Sequence, residues 1–187
     1  MTDRPDDLRV DPLSIVKPLL RARQVREFTD EPLTDAQLHA LTEVARWTGS
    51  SRNEQPWRFI LVREPATLRA LHEAGLPQTR SLATAVAAIA IVLPLDPARA
   101  ASRAYDDGRA AERVLIAAGM LGLGAGIAWV RDEVQPAVRE LLALPEERLV
   151  RTIIALGHPS EAAKAPKSAP GQARLPREAS IKDERWS

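Results

Sequence analysis

The chain of 187 residues contains no cysteine, few aromatic residues and almost no net charge, and each shortage excludes a class of function. Without cysteine it has no disulfide bond, no thiolate metal ligand and no cysteine nucleophile. Aromatic residues make up only 4% of the chain, too few for a surface that stacks nucleic-acid bases. Because 26 basic residues face 25 acidic ones, no global field attracts nucleic acid or an anionic membrane.

Long hydrophobic runs are missing too. The longest, residues 85–95, is too short to span a bilayer, and the polar, acidic N-terminus is unlike a secretory signal. We therefore expect a cytoplasmic protein that neither enters a membrane nor binds nucleic acid. Its length suits one domain, which we place at residues 13–187 after a flexible leader at residues 1–12.

The sequence offers no cluster of catalytic or metal-ligating side chains. The three histidines, His39, His72 and His158, are far apart and have no metal-ligand spacing. No Gly-x-Ser-x-Gly elbow or Walker-type loop occurs. Asp106 and Asp107 are adjacent, so their side chains would point apart on a helix, and we expect charges at a helix N-terminus. Neither a catalytic side chain nor a metal site is predicted, which suits an enzyme whose cofactor carries the chemistry.

Five closely spaced residues, Gly-Leu-Gly-Ala-Gly at residues 122–126, suggest a dinucleotide-binding fingerprint at first sight. That motif requires a strand before the glycines and a helix after them. Here a long helical pattern precedes them and a short strand pattern follows. The sequence therefore predicts a glycine-rich helix exit.

Periodicity predicts a chain that mixes helices and strands. A capping box at residues 34–37 starts the clearest helix, which Gly49 can end. The helix predicted over residues 105–121 is apolar nearly all round, so it is buried in one subunit or between two. The remaining predicted helices cover residues 13–22, 65–74 and 134–142, and the predicted strands cover residues 58–62, 87–95, 127–130 and 150–156.

Two segments carry the clearest functional signal. Residues 23–28 read Arg-Gln-Val-Arg-Glu-Phe, and residues 49–59 read Gly-Ser-Ser-Arg-Asn-Glu-Gln-Pro-Trp-Arg-Phe. In order and spacing they resemble the opening motifs of the FMN-dependent nitroreductase family. Residues 106–124, from Asp-Asp-Gly to Gly-Leu-Gly, and Leu-Pro-Arg-Glu at residues 175–178 extend the similarity over nearly the whole chain.

This resemblance implies an α+β fold of three layers, α/β/α, with a mainly antiparallel central sheet flanked by helices. It implies a homodimer with shared active sites, in which residues 158–187 form an arm exchanged with the partner subunit. It also implies an FMN-dependent oxidoreductase that takes electrons from NADH or NADPH. Nitroaromatic, quinone-like or related acceptors would then receive them by a ping-pong mechanism.

The resemblance also assigns the cofactor-binding residues. Arginines 23, 26 and 174, with Gln24, would hold the FMN phosphate. The loop within residues 49–59, coming from the other subunit, would hydrogen-bond the edge of the flavin ring. Backbone amides after the glycine turn would approach the N5 atom of that ring. The assigned residues are Arg23, Gln24, Arg26, Ser50, Ser51, Asn53, Gln55, Ala128, Trp129 and Arg174.

Other functions remain open from sequence. The sequence of residues 49–59 does not distinguish nitroreductases from flavin reductases, dehalogenating enzymes or flavin-fragmenting enzymes. Ala22 and Gly49 depart from the family pattern, which has a basic residue and a proline there. A flavin-binding module without turnover, acting as a sensor or store, is the main alternative. The weakest alternative is a protein whose basic arm contacts nucleic acid.

Overall fold

The computed structural model describes residues 11–165, 168–169, 172 and 174–186. Its centre is a sheet of four antiparallel strands in the order β1-β2-β4-β3. The strands are β1 (Arg58–Val62), β2 (Ala87–Pro94), β3 (Gly124–Trp129) and β4 (Arg148–Gly157). The two central strands are buried along most of their length because both faces of the sheet are covered.

Helices cover the two faces of the sheet in separate layers. One face packs against α3 (Asp35–Arg46) and α5 (Ala100–Met120), and the other against α4 (Pro65–Ala74) and α6 (Gln135–Leu141). The short helices are α1 (Pro12–Ile15), α2 (Lys17–Arg21), α7 (Glu161–Lys164) and α8 (Arg177–Ser180). Single 3₁₀ turns lie at Ser51–Asn53, Arg80–Ala83, Pro97–Arg99 and Asp132–Val134. The predicted three-layer α+β fold is confirmed.

Helix α3 begins where the capping box places it. The Thr34 hydroxyl accepts a hydrogen bond from the Gln37 backbone amide at 3.2 Å, and the Gln37 side chain accepts one from the Thr34 amide at 2.8 Å. Leu33 and Leu38 are both buried in the same core cluster, as a hydrophobic staple requires. The helix ends at Arg46, three residues before Gly49.

Several predicted boundaries differ from the structure. The helix predicted at residues 13–22 is two short helices, because Pro18 fits only the first turn of a new helix. Its first turn starts at Pro12, inside the predicted leader, whose residues 1–10 lie outside the described residues. Gly124 and Gly126 belong to β3, so only Gly122, at φ 73°, makes the predicted helix exit.

Helix α5 is less uniformly apolar than its sequence suggested. One face is buried against the sheet and α3, and it carries Asp106 and Asp107 together with alanines and branched residues. The opposite face is exposed and mixes Tyr105 and Met120 with Arg109, Glu112 and Arg113. Small residues on the buried face allow α5 to lie close to the sheet, so burial within one chain explains much of its apolar surface.

The chain after β4 follows the surface. Phe28 pairs with Pro159 in an isolated antiparallel bridge, and Ala163 is buried. The other described residues from Glu161 onward are exposed, and no strand forms among them. Exchange of this arm with a partner subunit remains a prediction. In the parts of the chain that the structure covers, every helix is too short or too polar to cross a membrane.

Candidate functional site

The basic segment, residues 23–28, runs along the free edge of β3. The Val25 amide donates to the Ala125 carbonyl at 2.8 Å, and beyond the segment the Thr29 amide donates to the His158 carbonyl at 2.8 Å. A Cβ atom added to Gly126 would lie 2.1 Å from the Val25 carbonyl oxygen. Glycine at this position therefore lets the segment lie directly against the strand.

Side chains of the basic segment alternate between two sides. Gln24 and Arg26 lie on one side, where the Arg26 guanidinium donates to the Gln24 Oε1 atom at 3.0 Å. The Ile127 amide donates to the same oxygen at 3.4 Å. Arg23 lies on the other side and donates to the Lys164 carbonyl at 3.2 Å. The structure therefore separates the two arginines that the sequence assigned to one phosphate.

A cleft of about 390 Å³ opens on the side of Gln24 and Arg26. Arg80, on the turn before β2, adds a second guanidinium, and Trp129, which is 53% exposed, adds an aromatic wall. Sequence reasoning missed Arg80 because a single arginine in a loop carries no pattern of its own. The lining residues are Gln24, Arg26, Pro77, Gln78, Arg80, Ile127 and Trp129.

The other residues assigned near this cleft differ in what they can offer. The Ala128 side chain is fully buried in the core, so only its backbone can face a ligand. Arg174 is exposed in the segment between α7 and α8. Among the described residues, no group of three or more histidine or carboxylate side chains is arranged to hold a metal ion.

The second assigned segment, the amide loop of residues 50–55, has an unusual backbone. Arg52, Asn53 and Gln55 have φ angles of 53°, 55° and 49°, in the left-handed region. The Gln55 amide donates to the Ser50 hydroxyl at 2.8 Å, and the Gln55 side-chain nitrogen donates to Asn53 Oδ1 at 3.2 Å. Such conformations cost about 1–3 kcal/mol each and persist only where the surroundings enforce them.

The amide loop and the basic segment lie at opposite edges of the sheet. The loop precedes β1, whereas the basic segment borders β3, and β2 and β4 lie between. At a strand spacing of 4.7–4.9 Å, the two edge strands are about 14 Å apart. One chain therefore groups Gln24, Arg26 and Trp129 with Arg80, but it does not bring Ser50, Ser51, Asn53 or Gln55 to the same cleft.

Charged side chains hold the amide loop against α5 through a hydrogen bond and ion pairs. Asp106 accepts a hydrogen bond from the Ser51 backbone amide at 3.2 Å. The Glu54 carboxylate pairs with Arg99 at 2.5 Å and with Arg103 at 3.0 Å. Hydrogen bonds from Arg99 and then Arg103 hold the pKa of Glu54 below its ordinary value.

The expectation that Asp106 and Asp107 mark a helix N-terminus is wrong. Helix α5 begins six residues before Asp106, because the preceding 3₁₀ turn leads directly into it, and both aspartates are buried. The Thr152 hydroxyl donates to Asp107 at 2.7 Å. Burial outweighs this hydrogen bond and raises the pKa of Asp107 to about 6.

Comparison with known proteins finds relatives that match most of the chain. The model of the Nitroreductase family matches residues 19–92, which include both the basic segment and the amide loop. A protein of Archaeoglobus fulgidus named "Putative NADH dehydrogenase/NAD(P)H nitroreductase" is 32% identical over 155 residues. The match covers 78% of this chain and 86% of that protein.

Solved structures share the fold. One from Parabacteroides distasonis, titled as a "Putative NADH dehydrogenase/NAD(P)H nitroreductase", is 26% identical with a TM-score of 0.77 and covers 92% of this chain and 99% of its own. An "FMN-dependent Nitroreductase" from Clostridium difficile has a TM-score of 0.78 at 23% identity and covers 91% and 99%. By its sequence, its fold and the two motifs at the sheet edges, this chain belongs to the nitroreductase family.

Proposed function

We propose that the protein is an FMN-dependent oxidoreductase that uses NADH or NADPH to reduce nitroaromatic, quinone-like or related acceptors. The family and the names of the relatives support a flavin oxidoreductase that takes electrons from NAD(P)H. The observation that carries the proposal is the cleft beside β3, which is lined by two guanidinium groups, two carboxamides and an indole.

The donor set of this cleft fits the phosphate end of FMN. A phosphate close to a dianion is bound best by guanidinium groups, which offer paired N–H donors at fixed geometry. Arg26 and Arg80 provide two of them, and Gln24 orients Arg26 through the 3.0 Å hydrogen bond. Arg23 contacts the backbone of α7, so we assign it to holding the basic segment in place.

The remaining side chains fit a flat aromatic ring. FMN, when bound, supplies a ring that accepts a hydride and later releases the electrons. The half-exposed Trp129 and Ile127 give the cleft an apolar wall that shields one side of such a ring from water. The guanidinium groups provide a positive field for the negative charge that reduction leaves behind. If NAD(P)H and acceptor use the same open side in turn, the kinetics are ping-pong.

A second copy of the chain would complete the site. The amide loop holds neutral donors and acceptors suited to the edge of a flavin ring, yet it lies at the far edge of its own sheet. In a homodimer, the loop of one subunit would reach the cleft of the other. Exposed apolar residues support this assembly, since Tyr105, Met120 and Leu20 are each at least 65% exposed. The chain would form a single domain of residues 13–187, and its arm, residues 158–187, would pack against the partner subunit.

A flavin-binding module without turnover is the alternative, and one experiment separates the two. The purified protein is loaded with FMN, freed of excess cofactor, and titrated anaerobically with NADH or NADPH while its visible spectrum is recorded. Bleaching of the flavin band, reversed by a nitroaromatic or a quinone, supports the enzyme. A stable band that does not bleach supports the module, and failure to retain FMN contradicts both.

A further inference from the structure

We propose that Glu54 is a positioning residue that locks the amide loop to α5 in the shape needed to receive the cofactor. This inference rests on the proposed function, because it gives Glu54 a role in presenting Asn53 and Gln55 to FMN. Glu54 itself would not touch the cofactor. Its carboxylate would act through two arginines and through the backbone that it holds.

Two attachments bracket two of the three loop residues at positive φ. At one end, the Ser51 amide donates to Asp106 at 3.2 Å. At the other end, Glu54 pairs with Arg99 and Arg103. Arg52 and Asn53, both at positive φ, lie between these attachments. A segment with this backbone would relax to an ordinary conformation if one end were released.

The network is sheltered more than an ordinary surface ion pair. The Arg103 side chain is only 11% exposed, and its guanidinium also lies 3.8 Å from the buried Asp106 carboxylate. Arg103 therefore connects both attachments, and its fixed position limits the entropy lost when Glu54 docks. Isolated surface pairs contribute little because they are screened and flexible, but a network on a rigid helix is an exception.

The charge of Glu54 matters as well as its hydrogen-bonding atoms. Arg99 ends the 3₁₀ turn that leads into α5, and Arg103 follows one helical turn later, so both reach the same side. Without the carboxylate that both arginines contact, the two guanidinium groups would repel each other. An uncharged residue at position 54 would therefore loosen the loop even if it kept an acceptor oxygen.

The first test measures the loop without any cofactor. Cofactor-free protein is digested with trypsin under native conditions, and the rate of cleavage after Arg52 is followed by mass spectrometry. We expect Glu54→Ala to raise this rate about three- to tenfold, and Glu54→Gln to give an intermediate value. The matched control is Asp35→Ala, which breaks an exposed ion pair between the first residue of α3 and Arg63, at the end of β1 opposite the loop. It should leave cleavage after Arg52 unchanged.

A double-mutant cycle tests whether Glu54 acts on the loop through its ion pair with Arg99. Arg99→Ala is chosen because Arg99 is 41% exposed and its loss leaves no buried charge. If Glu54 acts through Arg99, the double variant is cleaved no faster than Glu54→Ala. Additive rates, or wild-type cleavage in Glu54→Ala, would overturn the inference. Thermal unfolding of each variant separates local loosening from loss of the fold.

A second experiment tests whether the attachment of the amide loop by Glu54 affects cofactor binding. FMN affinity is measured by quenching of flavin fluorescence, and Glu54→Ala is expected to weaken it about three- to tenfold while Asp35→Ala does not. If wild-type protein binds no FMN, the proposed function fails, and the digestion still decides whether Glu54 holds the amide loop against α5. If wild-type protein binds FMN and Glu54→Ala binds it equally well, the positioning role fails alone.

Discussion

Arg23 and Arg26 are three residues apart in the sequence and lie on opposite sides of one extended segment. Because side chains in extended backbone alternate, Arg26 shares a side with Gln24, whereas Arg23 shares the other with Val25. Sequence similarity treats both arginines as members of one motif. Their partners differ, since Arg26 lines the cleft with Arg80 and Arg23 donates to the backbone of α7.

The two arginines should therefore respond differently to mutation. Arg26→Ala would remove the charge-assisted contact that we propose to the phosphate, and we expect it to weaken FMN binding by about 1.5–3 kcal/mol, or roughly ten- to a hundredfold. Arg23→Ala, which changes the charge equally, should have a smaller effect. Fluorescence titration with FMN measures both affinities. Equal losses in the two variants would show that the phosphate does not lie in the cleft beside Trp129.

Asp107 makes the stability of the protein depend on pH. Its pKa rises from an ordinary 3.8 to about 6 in the folded state because burial disfavours the carboxylate. The folded protein therefore binds the proton more tightly than the unfolded chain does, and stability falls as the pH rises through this range. Above pH 6 the cost is complete, and the difference in pKa corresponds to about 3 kcal/mol.

Asp107→Asn should remove this cost, because asparagine is uncharged and keeps an acceptor for the Thr152 hydroxyl. We expect the variant to be more stable than wild type at pH 8, by up to about 3 kcal/mol, and to gain little at pH 4. Urea unfolding at both pH values measures the difference. Asp132→Asn is the control, since its carboxylate is 83% exposed. An equal gain at pH 4 and pH 8 would contradict a titrating Asp107.

At the scale of elements, the amide loop shows how a short segment is shaped by a helix distant in sequence. Its three residues at positive φ share the same backbone cost, but they differ in side chain. Only Asn53 and Gln55 carry amides with both donor and acceptor ends. Arg52 provides a matched comparison within the same loop.

Replacing each of these residues by glycine separates backbone strain from side-chain function. Arg52→Gly, Asn53→Gly and Gln55→Gly all ease the positive φ, so none should lower the melting temperature of the cofactor-free protein by a strain mechanism. We expect Asn53→Gly and Gln55→Gly to weaken FMN binding and Arg52→Gly to leave it near wild type. Fluorescence titration and thermal unfolding measure the two properties. If all three variants bind FMN normally, the loop only supports its own backbone.

For the whole molecule, the proposed site requires two copies of the chain. The basic segment and the amide loop border opposite edge strands, β3 and β1, which lie about 14 Å apart across one sheet. Helix α5 offers a surface for the second copy, because its exposed face carries Tyr105 and Met120 among charged residues. Tyr105 is 76% exposed in the single chain and lines a groove on this face together with Gly108 and Arg109.

Tyr105→Glu should therefore disrupt both assembly and cofactor binding. We expect wild-type protein to have twice the 20.5 kDa mass of one chain, and the variant to shift toward the monomer and lose FMN. Light scattering coupled to size exclusion measures the mass, and the flavin absorbance of the same peak measures the cofactor. Leu141→Glu is the control, because α6 lies on the opposite layer. A wild-type monomer that retains FMN would contradict the shared site.

Local sequence determined most of the elements of this protein. Strand β1 and helix α4 have their predicted bounds, and the capping box at Thr34 starts α3 where expected. These features depend on neighbouring residues, through side-chain capping, alternation of apolar residues and the restrictions that proline imposes. The family motifs are local too, so they could be recognised before the fold was known.

Tertiary structure decided how those elements meet. No local pattern could indicate that Arg80 lines the same cleft as Arg26, that Glu54 pairs with Arg99 and Arg103, or that Asp107 is buried against Thr152. Each of these contacts joins residues at least 45 positions apart, so it depends on the order and direction of the strands. The sequence by itself identified the groups available to bind a cofactor. Only the folded chain separated the basic segment from the amide loop, because the strand order places them at opposite edges of the sheet.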